Sequence, residues 1–386
     1  MIQNVKIIRI IACAATIVIS SNSSFAQLST FVNMQNQMIV WDDGMERKID
    51  YLPPVKVGTG RIAIAYLDNS RNFKIYYKGA VTKINDGFTR DFQVTDNLIT
   101  YQNASNLWVW EAGQNKLLSK SSSQFYTSDS LVAYFDEIQK NFNIYYKHQI
   151  YPIENFLAGV NMNFAFNADE NSTFQTSDIA STQLSSIQVG DNIAAYVNYA
   201  NQFKAFYRGQ ILDIEDFGVN SFKAGRNTVA YVDNNNQFKV FQNGNVETLE
   251  SFEPKSYAVG FDMVAYVSND GYFKVYYNGT LTEIGYFEPD YILNDNILAY
   301  RDARGYFSVF YKGQTYQLES YFPTDIKILY NSLAYVNQAN MLRLFTEGKT
   351  YDVITGDVPA WQLNYDVLQY RFGKNFYKIF YKGETY

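Results

Sequence analysis

Residues 269 to 279 read NDGYFKVYYNG, and versions of the stretch recur as NFKIYYKG (72 to 79), QFKAFYRG (202 to 209), QFKVFQNG (237 to 244) and YFSVFYKG (306 to 313). Asn-Asp-Gly and Asn-Gly supply the positive φ that tight hairpin turns need. The residues between them alternate: Phe273, Val275 and Tyr277 point one way, Lys274 and Tyr276 the other. A short strand between two reversals is the expected unit, and the recurrence makes it a repeat.

Working outward, an [LIV]-A-Y pattern with a variable middle position precedes each copy, anchored at Tyr66, Tyr101, Tyr134, Tyr196, Tyr231, Tyr266, Tyr300, Tyr335 and Tyr370. The spacings are 35, 33, 62, 35, 35, 34, 35 and 35 residues. A fixed period of this size marks a repeat architecture. The gap of 62 is close to two units, and Phe166 within it is read as a degenerate tenth anchor. Within 251 to 287, the turns GFD, SNDG and NG separate four short strands, so each unit is expected to be a four-stranded antiparallel meander. The second strand carries a small residue beside its tyrosine (Ala65, Ala133, Ala195, Ala230, Ala265, Ala299, Ala334), and positions equivalent to Tyr276 hold Tyr76, Tyr145, Phe206, Phe241 and Phe310. Sheets with both faces suited to packing stack radially, which predicts an all-β propeller over residues 27 to 386 with about ten units, degenerate near 150 to 190. One ring of ten, one of fewer blades, or two smaller rings meeting near 150 to 190 all fit the spacing. QMIVWDDGMERKID (37 to 50) reads as third and fourth strands without a full preceding pair, and the last unit stops almost without a fourth strand. An N-terminal strand completing the last blade is the expected latch.

The pattern LAY-V-D followed by F-K-V-Y-Y-x-G resembles the repeats of secreted bacterial propellers, the TolB-like and WG-type arrays, over most of residues 30 to 386. That resemblance implies a binding platform. The regular Trp-Gly pair of the WG type and the Asp-Gly-Lys turn of the TolB-like type are not regularly present, so no site residues carry over.

Lys6 and Arg9 precede an apolar run from Ile10 to Ile19, then SSNSSFAQ, which reads as a signal peptide of residues 1 to 26 cleaved after Ala26. Ile10-Ile11-Ala12-Cys13 superficially matches a lipidation box, but the apolar run mostly follows Cys13. The run is too short for a transmembrane helix, and no later stretch approaches the roughly 20 apolar residues needed. The expected location is periplasmic or extracellular. Cys13 is the single cysteine, so after cleavage disulfides and thiol chemistry are excluded. The net charge of −6 becomes −8 once residues 1 to 26, which hold two bases and no acid, are removed. No basic footprint for nucleic acid is present. The 34 Tyr and 29 Phe favour strands with buried faces.

The one histidine, His148, occupies the place of a turn glycine in YYKHQ, against YYKGA elsewhere, and reads as an exposed turn residue. With no partner set for a catalytic triad or a histidine zinc site, the expectation is a non-catalytic protein, without a cofactor, that binds a protein or glycan. The alternative is a propeller enzyme acting on carbohydrate through carboxylates that converge on the central pocket. Asp136 with Glu137, and Asp213 with Glu215 and Asp216, are the densest acidic spots and read as loop charges. The Asx-rich tips LDNS (67 to 70), VDNNN (232 to 236) and SNDG (268 to 271) read first as turns, with calcium as the second reading.

Candidate ligand contacts fall into two groups. A cation recurs on the third strand at Lys74, Lys204, Lys239, Lys274 and Arg343, broken by Asn143 and Ser308. It suits an anionic or sugar ligand, or a stem laid over aromatic surface with its head in water. Residues that depart from the consensus form the second group: Trp108 and Trp110 in NLWVWEAG, His148, Trp41 near the latch, and Trp361 opening the last unit. The candidate set is Trp108, Trp110, His148, Lys204, Lys239 and Lys274.

Overall fold

The computed structural model describes residues 27–155, 187–356, 358, 360–373 and 376–386. Ten antiparallel sheets follow one another along the chain. We number them as blades: 1 (28–50), 2 (56–85), 3 (89–119), 4 (125–155), 5 (187–215), 6 (221–250), 7 (256–286), 8 (291–319), 9 (326–355) and 10 (361–385). In blades 2 to 10 four strands pair in simple chain order, as the three reversals per repeat require. The first strands of neighbouring blades touch one another, so they line the axis and the fourth strands form the outer edge. Two-residue turns between third and fourth strands have both φ values positive, as at Asn278 (47°) and Gly279 (79°), which is the geometry that matches strand twist.

Both faces of the third strand in blade 7, Tyr272–Tyr277, pack against neighbouring blades. Phe273 and Val275 pack with Leu298, Tyr300 and Phe310 of blade 8. Tyr276 turns toward Ala230, Val240 and Phe238 of blade 6, and its hydroxyl donates to Glu247 at 2.9 Å. A register shift between Phe273 and Lys274 recurs at the same place in most blades, for example between Phe238 and Lys239. This bulge bends the outermost strand.

Two organisational expectations change. The tenth blade lies at the start of the chain: Leu28–Val32 is the second strand of blade 1, with Phe31 one period before Tyr66, where phenylalanine had hidden the pattern. Phe166 lies outside the described residues, and blades 4 and 5 on either side pack directly through Ile144, Ile153, Ile187 and Tyr196. The expected strand-exchange latch is also replaced. Leu28–Val32 pairs with Met38–Asp42 in its own blade, while blade 10 carries its own short fourth strand, Glu384–Thr385. Closure is face to face. Trp41, 1% exposed, packs with Val367, Ile379 and Tyr381, and Ser29 Oγ donates to Gln369 Oε1 at 2.5 Å and accepts from Asn364 Nδ2 at 3.0 Å.

Candidate functional site: the axial mouth

Five residues before each anchor tyrosine, the turn from first to second strand brings one residue of each blade to the axis. In blades 2 to 10 these are Arg61, Asp96, Asp129, Asp191, Arg226, Phe261, Asp295, Tyr330 and Tyr365. Crowding explains the glycine before them in blades 2, 5, 6 and 7. A Cβ on Gly190 would lie 1.8 Å from Gly225 O, and one on Gly225 would lie 2.0 Å from Gly260 O. The backbone there is stapled from blade to blade, with Arg226 N donating to Gly260 O at 3.1 Å and Phe261 N to Asp295 O at 2.6 Å. An asparagine belt runs alongside, Asn192 Nδ2 to Asn227 Oδ1 and Asn227 Nδ2 to Asp262 Oδ1, both at 3.2 Å.

On this common backbone the side chains differ, and they reach one another across the ring. The Tyr365 hydroxyl of blade 10 donates to the Asp96 carboxylate of blade 3. The Arg61 guanidinium of blade 2 sits 4.7 Å from the centre of the Tyr330 ring of blade 9. Tyr330 makes edge contacts with Phe261 and Tyr365, and Arg226 lies over Phe261 while its Nε is 3.4 Å from Asp191 Oδ2. Asp129 Oδ1 accepts the Asp96 backbone N–H at 3.0 Å, and Asp295 Oδ2 accepts that of Tyr330 at 2.6 Å. A cavity of about 270 Å³ opens against the turns of blades 3 to 8, with Asp129, Asp191, Phe261 and Asp295 in its wall.

Burial pushes the Asp129 carboxyl up to about 7, with the charge of Asp96 adding to it. Asp96 rises to about 6 through burial, with Asp295 and Asp191 adding and Tyr365 and Arg61 opposing. Asp295 reaches about 6 for the same first reason, reinforced by Asp129 and Asp191. A carboxyl with a pKa of about 7, as at Asp129, is partly protonated at neutral pH and can then donate as well as accept a hydrogen bond. The mouth therefore combines acid groups, two guanidinium groups and aromatic faces.

The recurring cations are held elsewhere. Lys239 Nζ is 2.8 Å from Glu215 at the end of the preceding blade, and Lys274 Nζ is 2.8 Å from Glu250. The same carboxylates accept the anchor hydroxyls of Tyr231 and Tyr266, each at 2.8 Å. Asp50 serves Tyr66 and Lys74 in this way, and Glu319 serves Tyr335 and Arg343. Acid, tyrosine and cation thus form a clamp between blades, so the lysine head rests on a carboxylate rather than in water. At Lys74 burial works against the ammonium, but Asp50 and Asp68 outweigh it and raise the pKa. Lys204 pairs instead with Asp213 of its own blade at 2.9 Å, and the buried Tyr196 hydroxyl has no partner among the described residues.

Trp108 takes the cation position of blade 3 and stacks on Tyr101 at 6.3 Å and 7°, its buried Nε1 without a partner among the described residues. Trp110 is buried edge-on against Tyr77. His148 sits in the positive-φ turn place, about half exposed, with Nδ1 3.4 Å from Glu111 and 3.3 Å from the Tyr145 hydroxyl. Trp361 covers Lys327 at 4.1 Å. None of the six candidates lies in the mouth, and the structure does not bring them together.

The Asx-rich tips use their oxygens on the turn itself. Asp68 Oδ1 accepts the N–H groups of Ser70 and Asn72, and Asp233 Oδ1 those of Asn235 and Gln237. Among the described residues no group of three or more Asp, Glu, His or Cys is arranged to hold a metal ion. The acids singled out in sequence stay apart: Asp136 caps a turn, Asp213 holds Lys204 and Glu215 belongs to a clamp. Three of those that meet on the axis sit in Asp-Asn pairs that read as plain turns; alignment of the repeats on the anchor tyrosines reveals them.

Residues 22–386 match the family of the 10-bladed beta propeller domain, and the chain belongs to that family. No curated protein matches it. Among solved structures it is similar to the computationally designed Ika8 protein, at 16% identity over 76% of this chain and 96% of that one, with a TM-score of 0.34. It is also similar to the CRINKLY WD40 ectodomain of the Arabidopsis thaliana receptor kinase ACR4, at 10% identity over 68% and 99%, with a TM-score of 0.31. PorZ, a surface component of the type-IX secretion system of Porphyromonas gingivalis, shows 9% identity over 86% and 51%, with a TM-score of 0.29. Likeness this remote carries nothing about function. No helix among the described residues is long and apolar enough to cross a membrane.

Proposed function

We propose that the protein is an exported, non-catalytic binding propeller that takes a protein or glycan ligand at its axial mouth. One observation carries this reading: nine blades deliver the same backbone position to one point, and the side chains there are acids, arginines and aromatics instead of a repeated type. A position that served only to build the ring would keep one chemistry, as the clamp does at the four junctions where acid, tyrosine and cation meet. Export rests on the features of residues 1 to 26, and the likeness of the repeats to TolB-like and WG-type secreted arrays supports the same view. The test is binding to a glycan microarray and a peptide array. Tyr330→Ala is expected to lose the wild-type hits, whereas Phe252→Ala, exposed on the opposite face, keeps them; hits unchanged by Tyr330→Ala would overturn the assignment.

A second reading is favoured by a specific feature. Aspartates from four blades converge, and Asp129 and Asp96 have raised pKa values next to each other. A protonated acid beside another carboxyl is the equipment of carbohydrate cleavage. Release of reducing ends from a polysaccharide panel, abolished by Asp129→Asn, would select the enzyme over the binder.

A further inference from the structure

The face opposite the mouth, formed by the turns between second and third strands and by the linkers between blades, carries a groove of about 640 Å³ at blades 2 and 3. Val55 and Phe88, 53% and 69% exposed, give it an apolar wall. Arg71 and Arg90 border it, and neither side chain has an ion pair or hydrogen bond among the described residues. Lys56, also on the groove, is paired with Asp91. Arg71 occupies a left-handed backbone position, φ 62°, where the turn between second and third strands has Asn36, Asn201, Asn236, Gly271, Gly305 and Asn340 in six other blades, and Ala104 and Lys140 in blades 3 and 4. Asparagine and glycine are the residues that such a conformation favours. The arginine there forms no side-chain hydrogen bond or ion pair among the described residues. The matching groove at blades 6 and 7, about 440 Å³, keeps an exposed aromatic, Phe252, but is lined by Glu250 and Asp270. Glu250 is held by Lys274, so that groove offers no unpaired cation and, among the described residues, only Asp270 as a charge without an ion pair, in contrast to Arg71 and Arg90.

We propose that the groove of blades 2 and 3 binds an extended acidic peptide segment of a partner protein, its carboxylates on Arg71 and Arg90 and an apolar side chain against Phe88 and Val55. Guanidinium groups recognise carboxylates through paired hydrogen bonds, and they stand here on a protein whose own net charge is negative, so the groove attracts what the rest of the surface repels. The apolar wall favours a peptide over an anionic glycan, because an aliphatic or aromatic side chain beside a carboxylate fills it. This site is independent of the axial mouth.

The test is fluorescence anisotropy with a labelled peptide of alternating aspartate and leucine, its asparagine counterpart, and oligogalacturonate as a competitor. The wild type is expected to prefer the acidic peptide by about tenfold, and Arg71→Asn combined with Arg90→Gln to remove that preference. Asparagine suits the left-handed turn, so the fold is kept; Arg90→Glu alone, outside the turn, provides a second variant and should weaken binding by at least about tenfold. Tyr330→Ala should leave the affinity unchanged, which separates this site from the mouth. Unchanged affinity in both arginine variants, equal binding of the asparagine peptide, or oligogalacturonate binding more tightly than the peptide would overturn the proposal.

Discussion

The clamp between blades and the axial mouth are both drawn from the same repeat, and they obey opposite rules. At the clamp the residue types recur: Asp50, Glu215, Glu250 and Glu319 each meet a tyrosine and a lysine or arginine of the following blade. At the mouth the backbone recurs in nine blades, but the side chain is aspartate in four, arginine in two, tyrosine in two and phenylalanine in one. Repetition of type solves a problem that every blade has, the burial of a polar anchor hydroxyl against a neighbour. Variation on a fixed backbone solves a problem that the whole ring has once. The contrast teaches where to look for function in a repeat protein.

Substitutions can break that contrast in order of expected size. Gly225→Ala should be the most damaging, because its Cβ would meet Gly260 O at 2.0 Å and backbone cannot move aside as a side chain can. A loss of about 3 kcal/mol or more is expected in denaturant unfolding. Glu250→Ala comes next. It strips Lys274 and the buried Tyr266 hydroxyl of their common partner, and a loss of about 2 kcal/mol is expected, with array binding intact.

The mouth responds to pH. Folding raises the pKa of Asp96, Asp129 and Asp295 to about 6, 7 and 6, so the folded state holds protons more tightly than the unfolded chain. The resulting stabilisation is complete below the ordinary aspartate range and is lost as pH rises through 6 to 7. Melting should therefore occur at higher temperature at pH 5 than at pH 8, by the equivalent of about 2 kcal/mol, and the difference should shrink in Asp129→Asn. A melting temperature that falls between pH 8 and pH 5 would show that the mouth carboxyls are not held as described. Trp108→Phe is the smallest effect. It trims a stacked ring but also removes a buried N–H without a partner, so a change within about 1 kcal/mol is expected.

The ring was legible in the sequence because turn chemistry and the anchor tyrosine repeat with little drift, and both act locally. The third and fourth strands of blade 1 were legible at 37 to 50, but its second strand escaped because Phe31 replaces the tyrosine, and closure escaped because Trp41 works through packing with Tyr381, far away in the chain. The clamp cation was visible, but its partner was not, since a lysine over an aromatic looks the same from sequence whether its head meets water or a carboxylate of the preceding blade. The mouth was least legible. Asp96, Asp191 and Asp295 stand in Asp-Asn turns (TDN, GDN and NDN) and Asp129 in SDS; these read as ordinary turn chemistry, and only the radial geometry makes them neighbours.

The central claim is that the unrepeated mouth, and not the repeated clamp, meets the ligand. Calorimetric titration of the strongest array ligand into Tyr330→Ala and Tyr266→Phe compares them directly. Tyr330→Ala is expected to weaken binding by at least about tenfold while Tyr266→Phe, which loses only a clamp hydroxyl, binds as the wild type does. Equal affinity in Tyr330→Ala, or a loss confined to Tyr266→Phe, would contradict the claim.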